Sequence, residues 1–563
     1  MIVPRCRKAL CVAVALVALA ACTPNDDPDG DDAEVVVPSW VTEEPNGHVD
    51  RPAKGWFESG CNLPFDLVRR IKRGYYPERS PDLLFTSNIP THYPNSHSGP
   101  WDYLSNVPLL LYGPGFIKEQ GSADLDREVT VADMAPTYAE LLGTPFPKDR
   151  AGRSLSSALV PAAERPTPPK LILTVVWDGG GMSALKAHPD SWPVLRKLTE
   201  KGTFFEGADT GSSPTITPAI HANIGTGTFP DQHGMPDIGI VENGVFGGSV
   251  ADRSPAALKI KTFADIYDQR TDNQSKIGLF AFKSWHEAMI GLGAGVEGGD
   301  KDVAVLVDHK GGFFANEDLY TLPSYLHDVT GLDRLEEKVD RADGKVDGEW
   351  IGTGDFLSDQ NLIRKTPAWV MYQTKIIKKL IEGEGFGQDE IPDLFFTNYK
   401  QIDEIGHQWS MYGKEMGNII KYSDAELDVL VKYLDRTVGK NQWVMALTAD
   451  HGPAPDVDAD GGWTIRLLPF LDAMAANFGV TREEMEIDHR VGGSWTRVET
   501  LAQEGFTVED MADFIIRYTI EDNANGNVPK GFRKRSDEPV YSAAWPASKM
   551  DRVYRCSKKR SRD

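Results

Sequence analysis

The chain has 563 residues, 40 % of them hydrophobic and 25 % charged, with a formal net charge of −23. So acidic a balance argues against nucleic-acid polymers and anionic membrane surfaces as partners. Small anionic substrates stay open, because bound divalent metals can reverse the sign of the local field.

Arg5, Arg7 and Lys8 precede an uncharged apolar run from Ala9 to Ala21. The run is too short to span a bilayer and ends in small residues, the pattern of a secretory signal. Leu19-Ala20-Ala21-Cys22 matches a bacterial lipobox. Residues 1–21 therefore read as a lipoprotein signal peptide and Cys22 as the lipidated first residue. The expected location is the outer face of the cytoplasmic membrane or the cell envelope, with the lipid on Cys22 as the membrane contact; an ordinary signal with an incidental Cys is the alternative. Residues 22–56 hold Asp26, Asp27, Asp29, Asp31 and Asp32 among prolines, bury too little to fold, and read as a flexible tether. With Cys6 and Cys11 in the signal, Cys61 and Cys556 remain. In an oxidising compartment they are a candidate disulfide, or else two unpaired thiols. The oligomeric state is not legible.

The rest is long enough for one large α/β domain with an insertion, or for two domains. Leu171–Trp177, Lys276–Phe282, Val303–Val307, Asp393–Tyr399 and Gln442–Thr448 are short, largely apolar runs, as expected of strands buried on both faces. Helical spacing marks Trp192–Gly202, Trp369–Gly383 and the stretch from Leu427 to Gly439. The alternation predicts a mainly parallel sheet covered on both sides, with chemistry beyond the carboxyl ends of its strands.

Acidic residues fall at those ends. Asp178 opens Asp178-Gly179-Gly180-Gly181, Asp450-His451-Gly452 follows Thr448 closely, and Asp403 and His407 come just after Tyr399, four apart and so on one face of a helical turn. Carboxylates and imidazoles gathered this way suit divalent metals with oxygen and nitrogen ligands, though a single Asp at a strand end often only caps a helix. In Pro214-Thr215-Ile216-Thr217-Pro218-Ala219-Ile220-His221, Thr217 reads as an N-cap with Pro218 at the first helical position. The helix amides then face the Thr oxygen and any anion it attacks. Metal coordination would activate so poor a nucleophile; a Thr that only caps is the alternative.

Together, Asp178, the Pro-Thr-x-Thr-Pro-x-x-His segment ending at His221, Thr226-Gly227-Thr228-Phe229-Pro230-Asp231-Gln232-His233-Gly234, Asp403-x-x-Gly406-His407 and Asp450-His451-Gly452 resemble the type I phosphodiesterase/nucleotide pyrophosphatase family of the alkaline phosphatase superfamily. The resemblance runs from about residue 170 to 455. It implies an alkaline-phosphatase-like α/β fold with a mostly parallel central sheet flanked by helices and an inserted cap. It implies two divalent metal ions, zinc in the family, a small phosphate-ester substrate, and Thr217 as nucleophile. Asp178, Thr217, Asp450 and His451 would hold one ion; Asp403 and His407 would hold the other. The family's last ligand is a His in a His-Gly-Ser-Pro-Tyr-like motif downstream of the Asp-His pair. The only later His, His489 in Ile487-Asp488-His489-Arg490, does not resemble it, whereas His97-Ser98-Gly99-Pro100-Trp101 does.

The chain therefore resembles a circularly permuted member. Residues 57–160 resemble the family's C-terminal part, and 161–169 form a Pro-rich linker. Residues 170–556 are the main catalytic part, with a cap insertion at about 293–365, and 557–563 are a basic tail. His97 becomes the third ligand of the Asp403/His407 ion, with His489 or a water as alternatives, and Cys61–Cys556 would rejoin the displaced termini. The two ions would sit ~4 Å apart. Relatives that cleave monoesters add a Lys-x-Arg pair and an Asn; here Trp285 stands where the Arg would follow Lys283, and Asp237 and Asn243 are the nearest residues to the missing Asn. Lacking that cation, the chain reads as a phosphodiesterase. A phosphomonoesterase using Lys283 and Asn243, or a ligand-binding lipoprotein without catalysis, are the alternatives; no Cys or Ser in a sulfatase setting replaces Thr217. Asp456 to Gly461 begins like an EF-hand but has Leu467 at position twelve, and reads as an acidic turn. His286 and His309 read as structural or surface residues.

Overall fold

The computed structural model describes residues 47–562 except 166, 309–310, 355 and 358–361. The signal peptide, Cys22, most of the tether and His309 lie outside the described residues. Within them, no helix is long and apolar enough to cross a membrane.

A ten-stranded sheet forms the centre. Its principal strands are β1 (Leu109–Tyr112), β2 (Leu171–Trp177), β3 (Thr203–Phe205), β4 (Ile277–Ala281), β5 (Asp302–Val307), β6 (Asp393–Tyr399) and β7 (Trp443–Thr448). They lie in the order β5-β4-β6-β2-β7-β1-β3. The five from β5 to β7 run parallel, whereas β1 is antiparallel to both neighbours. All seven residues of β2 are buried, and the period-two alternation sends them to two cores. Leu171, Leu173, Val175 and Trp177 meet Trp369, Ile376, Leu380, Leu427 and Leu430 of the helices Pro367–Glu384 and Lys414–Leu434. Ile172 and Val176 meet Ile220 and Ile224 of Thr217–Thr226 and Met134 and Tyr138 of Met134–Leu141 on the other face.

β1 comes from the segment that precedes the linker, so residues 57–160 are built into the central sheet. The two ends of the described chain also meet. Leu83–Ser87 pairs with Tyr541–Pro546 in a four-stranded antiparallel sheet completed by Glu486–Arg490 and Gly493–Thr496. Beside it, Cys61 of helix Trp56–Asn62 is disulfide-bonded to Cys556 of helix Met550–Arg560.

The expected cap insertion at 293–365 is narrower than its sequence span, because β5 lies inside that span and belongs to the central sheet. The remainder includes Leu332–Asp340 and the aromatic residues Trp350 and Phe356, whose rings meet Trp409 at 6.1 and 4.8 Å.

Candidate active site

Asp178, Asp403 and Asp450 follow β2, β6 and β7, three neighbours in the sheet. Strands ~4.8 Å apart with parallel ends deliver their carboxylates to one place, and all three are buried. The turns approach closely because Gly179 adopts φ 69°, where a Cβ would lie 2.8 Å from Asp403 Cα.

Two clusters of side chains result. Asp403 Oδ1 lies 3.4 Å from His97 Nε2 and 3.3 Å from His407 Nε2. His451 Nε2 lies 3.5 Å from Asp178 Oδ1 and 3.4 Å from Asp450 Oδ2. The clusters adjoin, since His451 Nε2 is also 3.9 Å from Asp403 Oδ1. In each set the donor atoms all fall within 4.8 Å of one another, a space one cation can fill. His489 is not part of either; its ring hydrogen-bonds Ser494 and Tyr93 in the antiparallel sheet.

The ring tautomers bear on what these clusters hold. Nδ1 of His97 is 3.0 Å from Thr215 O, that of His407 is 2.7 Å from Asn95 O, and that of His451 is 2.8 Å from Gly452 O. A carbonyl only accepts, so each Nδ1 carries a proton, and a neutral ring turns its Nε2 lone pair toward carboxylate oxygens. Lone pairs facing one another repel unless a cation stands between them, and backbone carbonyls orient metal-ligating histidines in this way. Asp450 Oδ2 and His451 Nε2 are buried without a hydrogen bond. The donor set fits two divalent ions.

Without ions, protons fill the same gaps. Burial opposes a charge on His451, yet Asp450 and Asp178 push its pKa up to about 9. Burial and the charge of Asp178 raise Asp450 to about 7. Asp403 raises His407. Burial and the neighbouring His451 ring hold His97 well below the usual value.

Sequence reasoning missed Lys400, although it directly follows β6. Its Nζ lies 2.8 Å from Asp178 Oδ1 and 2.6 Å from Asp403 Oδ2, fully buried, and despite that burial the two carboxylates keep its pKa high. It also missed Asn398, which with His286 supports Asp178 Oδ2, from 2.9 and 3.2 Å respectively. Of the two expected roles for His286, structural or surface, its burial at the site fits the structural one.

Thr217 is the first residue of the helix Thr217–Thr226, one position further in than an N-cap, with Ile216 as the flanking residue. Among the described residues its hydroxyl makes no hydrogen bond. His221 Nδ1 is 2.8 Å from Thr217 O and 3.6 Å from Asp450 Oδ2, while Thr215 Oγ1 donates to His97 O at 2.7 Å. The helix start is thereby tied to both clusters.

The three substrate-contact expectations fare differently. Lys283 Nζ is 3.5 Å from Glu404 Oε1, beside Asp403. Asp237 is buried, accepts the Ile238 amide at 2.6 Å, and is raised to about 6 by burial; it lines a separate cavity with Ser213, Pro214 and Trp101. Among the described residues, Asn243 makes no hydrogen bond with either cluster. It is exposed at φ 52° in the turn between Gly239–Glu242 and Val245–Gly248, where an Asn-Gly pair supplies the two left-handed residues of a type I′ hairpin. At Asp456–Gly461, Asp460 is buried and accepts the Tyr412 hydroxyl.

The type I phosphodiesterase / nucleotide pyrophosphatase family pattern matches residues 172–462, just over half of the chain. The chain belongs to that family. The family in turn belongs to the alkaline phosphatase superfamily. Among curated relatives, the "Calcium-transporting ATPase" of Myroides odoratus is 25 % identical over 53 % of this chain and 62 % of its own length. Alkaline phosphatase PafA of Elizabethkingia meningoseptica is 24 % identical over 51 % and 61 %. The chain thus spans about three-fifths of the curated relatives it matches. The solved structure of wild-type alkaline phosphatase PafA superposes with a TM-score of 0.49 at 17 % identity, covering 68 % of this chain and 85 % of that one.

Proposed function

We propose that this family member is a metal-dependent hydrolase of phosphate esters, acting on diesters through a phospho-threonine intermediate at Thr217. The observation that carries this reading is the pair of adjoining donor clusters, each with at least one histidine Nε2 turned toward carboxylates, beside a helix start whose Thr hydroxyl makes no hydrogen bond among the described residues. Alkaline phosphatase PafA among its relatives supports the same reaction class.

Asp178, Asp450 and His451, with Thr217, would hold one divalent ion, and His97, Asp403 and His407 the other. Bound zinc-class ions lower the pKa of a hydroxyl or a water and screen phosphoryl charge. The chain's own groups do the rest. Thr217 Oγ1 attacks phosphorus, an Oγ–P bond forms as the ester O–P bond breaks, and the alcohol departs. Water then attacks the same phosphorus, releasing the phosphate product and restoring the hydroxyl. His221 holds the Thr217 carbonyl, and the helix amides face the anion.

The test is turnover of bis-(p-nitrophenyl) phosphate against p-nitrophenyl phosphate by the zinc-loaded protein, with Thr217→Ala alongside. A diester preference lost in the variant is expected. Turnover that survives in Thr217→Ala would remove the threonine intermediate, and a monoester preference would make the enzyme a phosphatase.

We further propose that the chain is circularly permuted. The supporting observation is that His97 and β1, encoded ahead of the family match, complete a site and a sheet whose other parts lie within it. A variant with Arg555 linked to Phe57 and new termini at 161–169 should fold and bind two metals. Export with a lipid on Cys22 belongs to the same proposal and is tested by fatty-acid labelling of wild type against Cys22→Ser.

A further inference from the structure

A group of cations stands next to the Asp403 cluster that the chemistry above does not use. Glu404 is 12 % exposed, and two cations from different parts of the chain flank its carboxylate. Lys283 Nζ lies 3.5 Å from Oε1 and Arg364 Nη2 lies 3.8 Å from Oε2. Lys283 follows β4, whereas Arg364 belongs to the short turn Ile363–Lys365 that leads into Pro367–Glu384. Lys365, the next residue, donates to Gln408 Oε1 at 2.7 Å. Two cations therefore meet one carboxylate with a third next in sequence, leaving positive charge in excess beside an otherwise acidic site.

Neither Lys283 nor Arg364 is used up by these contacts. Both separations are longer than a well-formed hydrogen bond. Among the described residues nothing accepts a hydrogen bond from Lys283 Nζ or from the Arg364 guanidinium, and Arg364 Nε is buried without a partner. The other neighbour of Lys283 Nζ is the face of Trp285 at 4.9 Å. The two side chains are 34 % and 30 % exposed, so a solute can reach them. A half-buried donor left unpaired is costly, and a guanidinium beside an ammonium is suited to phosphate oxygens. Glu404 directly follows Asp403 in the helix Gln401–Gly406, so the cations that flank its carboxylate stand beside the Asp403 cluster.

We propose that Lys283, Arg364 and Lys365 form an anion subsite beside the Asp403 cluster, which takes a second phosphate-borne negative charge and so speeds substrates carrying more charge than a simple diester relative to the same site without these cations. This rests on the reading of the site as a phosphate-ester hydrolase. The extra charge has two possible sources: the transferred phosphoryl group of a monoester, or a phosphate on the leaving group. In either case the inserted segment supplies the cation that Trp285 displaces from the expected Lys-x-Arg pair, with Glu404 holding it in place until substrate arrives.

The test compares wild type with Arg364→Ala and Lys283→Ala, each as the full chain loaded with zinc and checked for melting temperature and metal content. Calorimetry with inorganic phosphate gives a readout independent of turnover, and either folded variant should bind it at least tenfold more weakly. Rates are then taken on bis-(p-nitrophenyl) phosphate, p-nitrophenyl phosphate and diadenosine pyrophosphate. A fall of tenfold or more in the kcat/KM ratio of p-nitrophenyl phosphate to the bis ester places the charge on the transferred phosphoryl. The same fall for diadenosine pyrophosphate places it on the leaving group. Phosphate affinity and both ratios within twofold of wild type would overturn the subsite. If wild type turns over none of the three esters, the hydrolase reading fails, while the phosphate measurement still decides the subsite.

Discussion

The imidazole of His97 stacks on that of His451, with ring centroids 3.6 Å apart and planes 8° from parallel. One ring comes from the segment before the linker and the other from the end of β7, so each stands in a different cluster yet shares one wall. If both clusters hold ions, His97→Ala should reduce bound metal from two ions to one. Hydrolysis should fall by a hundredfold or more, because an electrostatic stabiliser of that size is worth ~3 kcal/mol. Elemental analysis beside turnover checks this. Two ions retained with full activity would mean that His97 is only a packing partner of His451.

Among the described residues, Lys400 is the one ammonium bonded to carboxylates of both clusters. Removing one member of a buried charge set leaves the others uncompensated, which costs ~3–5 kcal/mol. Lys400→Met should therefore destabilise the metal-free protein strongly. The loaded protein should lose less, because divalent ions held by the two clusters would also neutralise Asp178 and Asp403. Denaturant curves with and without chelator separate the cases, and equal losses in both would show that Lys400 does not share the carboxylates with metal.

How much of this was legible follows from how each residue is positioned. Asp178, Asp403 and Asp450 could be read because each ends an apolar run, and parallel strands bring such ends together. His97 could be read only through its motif, since no periodicity links it to residues far along the chain. Lys400 could not, because a lysine after a strand is ordinarily solvated and only the fold surrounds it with carboxylates. Arg364 was hidden for a similar reason, lying far in sequence from Glu404 and Lys283. Asn243, expected as a substrate contact, is exposed in a hairpin turn, and Asn243-Gly244 carries that turn's signature in the sequence.

The metal-free protein should lose stability as pH rises. Asp403 raises His407 above its usual pKa, and the carboxylates push His451 up to about 9 against burial. A raised histidine contributes stability that is fully present below its unfolded value, about 6.5, and lost as pH climbs through the folded one. Asp450, raised to about 7 by burial and Asp178, acts in the same direction at lower pH. Metal ligands must be deprotonated, so the gain in melting temperature on adding zinc should grow over the same window, from about 6.5 to about 9. Melting curves with and without zinc at several pH values check both trends. A metal-free melting temperature that rises across that window would contradict the assigned proton positions.

Cys61 and Cys556 lie 495 residues apart in sequence, with Cα atoms 5.3 Å apart. The two helices that carry them already touch, since a Cβ on Gly60 would lie 2.8 Å from Val553 Cγ1, and Val553 packs with Leu63 and Trp545. The bond therefore adds to an interface rather than creating one. In the chain-entropy view, a loop this long is worth up to ~5 kcal/mol, and removing a native disulfide typically costs ~2–5 kcal/mol. Cys556→Ser should lower the urea midpoint accordingly while leaving turnover of the folded protein unchanged, because Asp178, Asp403 and Asp450 follow strands of the central sheet and not these helices. If the midpoint stays where it is, helix packing alone closes the chain.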